Sequence, residues 1–317
     1  MIRGSQYPDL PRFSSGIFSL DVEIGGGIPR GRILIMTGSE STGKVQPLTS
    51  KVLTPKGYVS MGSIKVGDIV VDGEGKLTKV VGVFPQGVKP VYRINFNDGT
   101  SIEVSSEHIN KVHRYNAGSR KTEHYEITTL ELIKLVEESK YSIRVDVLVV
   151  DVWEDKDLLI DPYLLGFLLA DGILRDNTGF SNSERDIIDK VRHKLNAIGY
   201  DIKTKDGTNW SIYRNDGIKY NNYTVDESSL WECLRLYGLK VNSYDKHIPK
   251  EYLFSSYETR LELLRGMFDG DGYVPTGEST LEYSTSSPQL SKDFEFLVRS
   301  LGIVTTVSTK VPTYFLS

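Results

Sequence analysis

Two apolar stretches, "DPYLLGFLLADG" over residues 161–172 and "RLELLRGMFDGDG" over 260–272, each close in Asp-Gly. Their acids, Asp171 and Asp271, stand 100 residues apart. A helix with so apolar a surface is buried, and one small residue in each, Gly166 and Gly266, lets two such helices pack closely. Packed side by side, they set their terminal carboxylates next to each other, where the charges repel unless a divalent cation neutralises them. Mg²⁺ held there would activate water and stabilise the charge of a cleaved phosphodiester. One Asp-Gly helix end is an ordinary turn; two of them, on helices this apolar, point to a built pair. The polar segments that follow also repeat. "GFSNSERDIIDKVRHKLNAIGY" and "LEYSTSSPQLSKDFEFLVRSLGI" are each a Ser-rich strand end followed by an amphipathic helix, which predicts a monomer with pseudo-twofold symmetry.

A second group of residues suits phosphate. "GRILIMTGSESTGK" is a short β-branched strand followed by G-x-x-x-x-G-K, with Gly38, Gly43 and Lys44 in place to cradle a nucleotide. A hydroxyl residue for the nucleotide's Mg²⁺ should come next, but Val45 does, then "QPLTS", and no helix follows. From residue 45 to about 150 the pattern is β. Runs such as "KVLTP", "DIVVDG", "KVVGVF", "PVYRINFNDG" and "SIEVSS" alternate between Gly, Pro and Asp-Gly turns, before a helix predicted over about 129–139.

These stretches carry three resemblances. "FSSGIFSLDVEIGGGIPRGRILIMTGSESTGK" resembles the start of the ATPase core of RecA-type recombinases, including the phage UvsX branch, and covers the first 44 residues. "KVLTPKGYVSMGSIKVGDIVVDGEGK" and "NDGTSIEVSSEHINKV" resemble the two N-terminal blocks of an intein, a self-excising element of the Hint fold. Insertion directly after the P-loop lysine explains why the nucleotide motif stops at Lys44. The family's T-x-x-H signature falls on Ser105 and His108, where an imidazole would polarise the scissile peptide and protonate its nitrogen. Taken alone, His108 reads more readily as a surface strand cap; its place after "DGTSIEV" turns the reading toward the splicing role. Val45 departs from the Cys or Ser that opens an intein, so splicing through a first-residue nucleophile is not available. Cys233 lies in the helical "SLWECLRLYGL" and reads as core.

The two Asp-Gly helices strongly resemble the paired motifs of LAGLIDADG homing endonucleases of the DOD type. That resemblance implies Asp171 and Asp271 as catalytic and metal-binding, and Lys246, in "DKHIPKEY", as the family's lysine, ordering water or stabilising charge on phosphate. Asp269 has Leu169 as its counterpart and takes no role. The implied architecture is α+β and multidomain. A RecA-like fragment spans 1–44, the N-terminal part of an all-β Hint-type domain spans 45–150, and a pseudo-twofold αββαββα endonuclease domain spans 151–317. The second repeat reads as cut short, and with the C-terminal intein blocks and the rest of the recombinase missing, splicing by this chain alone is not expected.

The partner implied is double-stranded DNA at the intein-less host allele, with Mg²⁺ as cofactor and ATP relevant only to a complete recombinase. Charge argues the other way, because residues 151–317 hold 19 Lys and Arg against 26 Asp and Glu. The segment "YDIKTKDGTNWSIYRNDGIKYNNYTV" interleaves Lys203, Lys205, Arg214 and Lys219 with aromatics, as a strand pair in a major groove would, or as an ordinary solvated hairpin would. A decayed nuclease that only binds DNA and a free-standing P-loop ATPase are the competing readings. The 317 residues are 39% hydrophobic with a net charge of −4, one cysteine and no long apolar run, which predicts a folded cytoplasmic protein of a bacterial or phage-infected cell, without disulfides or membrane spans.

Overall fold

The computed structural model describes residues 12–13, 28–29, 45–116, 118–138, 142–176, 178–215, 229–277 and 280–310. The chain divides into two units, Met1–Lys44 and Val45–Ser317. In the first, strand β1 (Arg12–Phe13) pairs antiparallel with β2 (Ile28–Pro29). Gly38, Gly43 and Lys44 lie outside the described residues.

The second unit opens with three hairpins: β3 (Lys51–Thr54) with β4 (Gly57–Ser60), β5 (Ile69–Val71) with β6 (Leu77–Lys79), and β7 (Val91–Asn95) with β8 (Ser101–Ser105). Turn chemistry written in the sequence makes two of them. Asp72 accepts the backbone N–H groups of Glu74 and Lys76, Asp98 accepts that of Thr100, and Gly75 and Gly99 take the left-handed conformation at φ of 77° and 85°. Strand β9 (Ile109–Asn116) then runs between β10 (Lys121–Thr128) and β11 (Ile143–Arg144), and helix α1 spans Thr129–Glu138. "KVVGVF" does not continue as a strand. β6 stops at Lys79, and Val81, Phe84 and Val88 are exposed, because Gly82, Pro85, Gly87 and Pro90 withhold the side chains and N–H donors that a ladder needs.

From Asp161 on, the order becomes α2 (Pro162–Asp171), β12 (Gly172–Ile173), β13 (Gly179–Ser181), α3 (Arg185–Ala197), β14 (Tyr200–Thr204), β15 (Asn209–Arg214), α4 (Leu230–Leu236), α5 (Lys250–Leu253), α6 (Tyr257–Asp271), β16 (Gly272–Tyr273), β17 (Glu282–Tyr283) and α7 (Pro288–Ser300). Strands β12, β13, β15 and β14 form one antiparallel sheet in that order, and β16 pairs with β17. The sequence of helix, hairpin, helix therefore occurs twice. Caps set the helix starts: Asp161 accepts from the Leu164 N–H ahead of Pro162, Ser256 from Thr259, and Ser287 from Leu290. The core is one cluster running from Ile160 to Leu301, with α2 at its centre; Tyr163, Leu164, Leu165, Phe167 and Leu168 have no exposed surface. Cys233 belongs to this core and is a free thiol.

Helices α2 and α6 lie parallel and touch backbone to backbone. A Cβ placed on Gly166 would fall 2.1 Å from the Leu263 carbonyl oxygen, and one on Gly266 would fall 2.0 Å from that of Tyr163. One turn further on, Gly270 meets Ala170 and the backbone nitrogen of Asp171. Contacts at 163 with 266 and at 170 with 270 advance together along both chains, so both C-termini emerge at the same end. The β-rich part joins this body through specific polar contacts. Trp153 Nε1 donates to the Pro55 carbonyl at 3.0 Å, Arg299 pairs with Asp98 at 2.8 Å, and the fully buried Arg260 donates to the carbonyls of Ser255, Ser300 and Val150.

Candidate active site

Both helices end in Asp-Gly for the same local reason. The glycine leaves the helix extended, at φ of −72° for Gly172 and −77° for Gly272, while its N–H still closes the last turn on Leu168 or Phe268. The preceding aspartate thus stands at the mouth of the helix pair. Burial pushes the Asp171 carboxyl up to about 6; the neighbouring Asp271 adds to the rise, while a hydrogen bond from Asn182 Nδ2 at 2.9 Å and the charge of Lys246 oppose it. Asp271 is raised as well, by burial, against the pull of Lys246.

Lys246 lies beneath the pair, only 4% exposed. Its Nζ donates to the carbonyls of Leu168, Leu169 and Ala170 at 3.3, 2.8 and 3.1 Å, which caps the open end of α2 with a cation where the helix dipole is negative. Burial lowers its pKa to about 8, and both aspartates hold it from falling further. Ser287 fixes the lysine's backbone: its hydroxyl donates to the Lys246 carbonyl at 2.6 Å while capping α7. The structure therefore brings Asp171, Asp271 and Lys246 together, with the ammonium on helix carbonyls rather than on a carboxylate.

Among the described residues no three His, Cys, Asp or Glu side chains gather as a metal cage. The donor set here is two carboxylates at an open end, which suits Mg²⁺: that ion is commonly held by one or two carboxylates and keeps several waters. Asp269 takes a different part. It accepts from the Tyr163 hydroxyl at 2.6 Å and from Lys190 Nζ at 3.1 Å, and so clips α2, α3 and α6 together on the flank.

Ser105 and His108 form a second, separate group. Both are buried, and the Ser105 N–H donates to the Val45 carbonyl at 3.0 Å, so the "SSEH" turn sits on the first residue of the unit. The His108 carbonyl is tied down by Asn110 Nδ2 at 3.0 Å and the Thr129 hydroxyl at 3.3 Å. The buried Ser105 hydroxyl has no hydrogen-bond partner among the described residues.

The predicted cations do not share one surface. In the antiparallel register Lys203 faces Ser211 and Arg214 faces Tyr200, with the buried Ile202 opposite Ile212 between them; alternation puts Lys203 on the face away from Ile202 and Arg214 on the same face. Lys203 lies over the Tyr213 ring at 5.1 Å and Arg214 over that of Tyr200 at 5.9 Å. Lys205 is exposed in the turn after β14, and Lys219 lies outside the described residues. Asn182 escaped the sequence reading because it looked like one more polar residue at a Ser-rich strand end. Only the fold turns it onto Asp171.

Residues 258–314, from the start of α6 through α7, match the family model of the LAGLIDADG-like domain. With the mixed α/β architecture and the paired acids, this defines the class of domain present. Among curated proteins, the chain is 26% identical over 297 residues to the replicative DNA helicase DnaB of Mycobacterium intracellulare, covering 87% of this chain and 46% of the helicase. It is 32% identical over 95 residues to DnaB of Mycobacterium leprae (30% of this chain, 16% of the helicase), and 38% identical over 74 residues to the ATP-dependent DNA helicase Hel308 of Thermococcus kodakarensis (22% and 7%). The chain thus spans less than half the length of these relatives. No helix among the described residues is long and apolar enough to cross a membrane.

Proposed function

We propose that Val45–Ser317 is an intein-type insert carrying a LAGLIDADG homing endonuclease, which cleaves double-stranded DNA at the uninterrupted host allele. The observation that carries this reading is the parallel contact of α2 and α6, which sets Asp171 and Asp271 side by side over the buried Lys246. Asp171 and Asp271 would hold Mg²⁺, which when bound supplies Lewis-acid stabilisation of phosphate charge. The chain's own part is positional. Asn182 orients the Asp171 carboxylate, Lys246 keeps the end of α2 closed and sets a positive charge under the acids, and the glycine contact fixes their separation.

The division of the chain between Lys44 and Val45, at the interrupted phosphate loop, supports an inserted element, as do partial matches to several DNA helicases. For residues 1–44 we keep the RecA-type host as our reading; the helicase matches fit another P-loop host equally. For Ser105 and His108 we keep the Hint-type role, with His108 acting on the peptide at Val45 and with cis-splicing absent for want of a nucleophile there.

The test is incubation of the purified chain with Mg²⁺ and a plasmid bearing the uninterrupted host sequence. Cleavage at the insertion point, abolished by Asp171→Asn, is the expected result; no cleavage by the unaltered protein would overturn it. The second reading is a decayed nuclease that only binds DNA; the acidic balance of residues 151–317 and the split of Lys203 from Arg214 weigh against DNA contact under either reading. A gel shift that survives both Asp→Asn changes, without cleavage by the parent, would establish it.

A further inference from the structure

Across the pseudo-twofold, one aromatic strand position carries a hydroxyl in one half and none in the other. Phe180 pairs with Gly172, directly after Asp171, and packs edge-on to Phe167 at 5.0 Å. Its counterpart pairs with Gly272, directly after Asp271, and packs edge-on to Phe268 at 6.4 Å, but it is Tyr283. Phe294 stacks on the Tyr283 ring at 4.2 Å, so the ring is clamped on two sides and its hydroxyl has one fixed direction. Packing needs no hydroxyl here, as Phe180 shows on the other side. That hydroxyl is nonetheless buried and has no hydrogen-bond partner among the described residues. Both Asp271 and Asp171 act on it electrostatically, adding to the rise that burial imposes on the phenol, yet it bonds to neither. Tyr283 stands on the strand paired with Gly272, next to Asp271, so a water between its hydroxyl and the carboxylates would satisfy it.

We propose that Tyr283 is a positioning residue whose hydroxyl holds, by a hydrogen bond, a water over the Asp171–Asp271 pair. The use of that water in cleavage rests on the endonuclease reading; the hydroxyl's unsatisfied state does not. Tyr283→Phe removes the donor and keeps the ring, its stack and its pairing.

The full-length chain and Tyr283→Phe are compared by thermal unfolding in EDTA, by thermal unfolding with Mg²⁺ alone, and by cleavage of the plasmid described above. In EDTA the variant should melt within about 2 °C of the parent, because among the described residues the hydroxyl bonds no protein group and only its water is lost. Its gain in Tm on adding Mg²⁺ should shrink, and kcat should fall about 10- to 100-fold with KM unchanged, the usual scale for groups that orient a ligand from behind. A variant that melts several degrees lower in EDTA has lost a structural hydrogen bond, which overturns the proposal; so does an unchanged kcat. If the parent cuts no DNA, the endonuclease reading falls, and the Mg²⁺-dependent gain in Tm alone decides: equal gains in parent and variant overturn the role of Tyr283, and a smaller gain in the variant supports it.

Discussion

At Asp171, charge and fold oppose each other. Its carboxyl titrates at about 6 in the folded chain against an ordinary 3.8, so the native state holds that proton more tightly than the unfolded state. Its contribution is complete below pH 3.8 and is lost as pH rises through about 6. Asp171→Asn should therefore abolish Mg²⁺-dependent cleavage while raising the metal-free Tm at pH 7.5, and the increment should vanish near pH 3.5; melting curves at the two pH values check the sign. Lys246 has the opposite slope. Its depressed pKa, about 8 against 10.5, means that stability rises as pH climbs from 8 towards 10.5. Lys246→Met removes the buried charge but takes the ammonium donor from the Leu169 and Ala170 carbonyls, while Leu168 keeps the Gly172 N–H, and a net loss of about 2 kcal/mol in urea unfolding is expected. Burial thus works against the charged form of both groups, and perturbations of this kind cluster at functional sites.

At the scale of elements, the decisive contact is that of each glycine with the backbone of the facing helix, Gly166 on Leu263 and Gly266 on Tyr163. Ala at Gly266 has to displace the Tyr163 carbonyl, a backbone atom that cannot swing aside, so the helices must separate. Gly266→Ala should cost about 3 kcal/mol or more and lower the urea midpoint, whereas Gly73→Ala, with nothing within 4 Å of the added carbon, should stay within about 0.5 kcal/mol. Cleavage by a surviving Gly266→Ala protein should fall further than its stability, since the separation of the acids follows that of the helices. These helices, their ends and the small residues inside them were legible in sequence because an apolar run closed by Asp-Gly is a local signal. The run "KVVGVF" misled for the converse reason: alternation is necessary for a strand, but a strand exists only where a partner ladder meets it, and Gly82 and Pro85 prevent that here.

For the whole unit, stability is concentrated in one place. The core cluster draws only on residues 160–301, and the hairpins before it bury little, with Val66, Val81, Phe84 and Val88 all exposed. The two parts are joined by polar pins, chief among them Arg260, which reaches from α6 to the Val150 and Ser300 carbonyls beneath the Trp153 ring. Arg260→Leu removes the guanidinium from the Val150 carbonyl and from the Ser300 carbonyl, which keeps the Val150 N–H, and should cost about 3 kcal/mol. Amide hydrogen exchange should quicken around Val150 and Ser300 together, since both are held by the same side chain, while β9 and β10 keep their protection.

What the sequence determined by itself is everything encoded over a few residues: the Asp-Gly helix ends, the turn residues, the doubled order of helix and hairpin, and the burial of Cys233. Tertiary structure alone decided what depends on which surfaces meet. It put the ammonium of Lys246 on the carbonyls of α2, turned Asn182 onto Asp171, left the buried Tyr283 hydroxyl without a partner among the described residues, and parted Lys203 from Arg214 across a sheet. The reason is physical: hydrogen bonds and strand register between residues far apart in the chain are set by packing of the whole core, which no local pattern records.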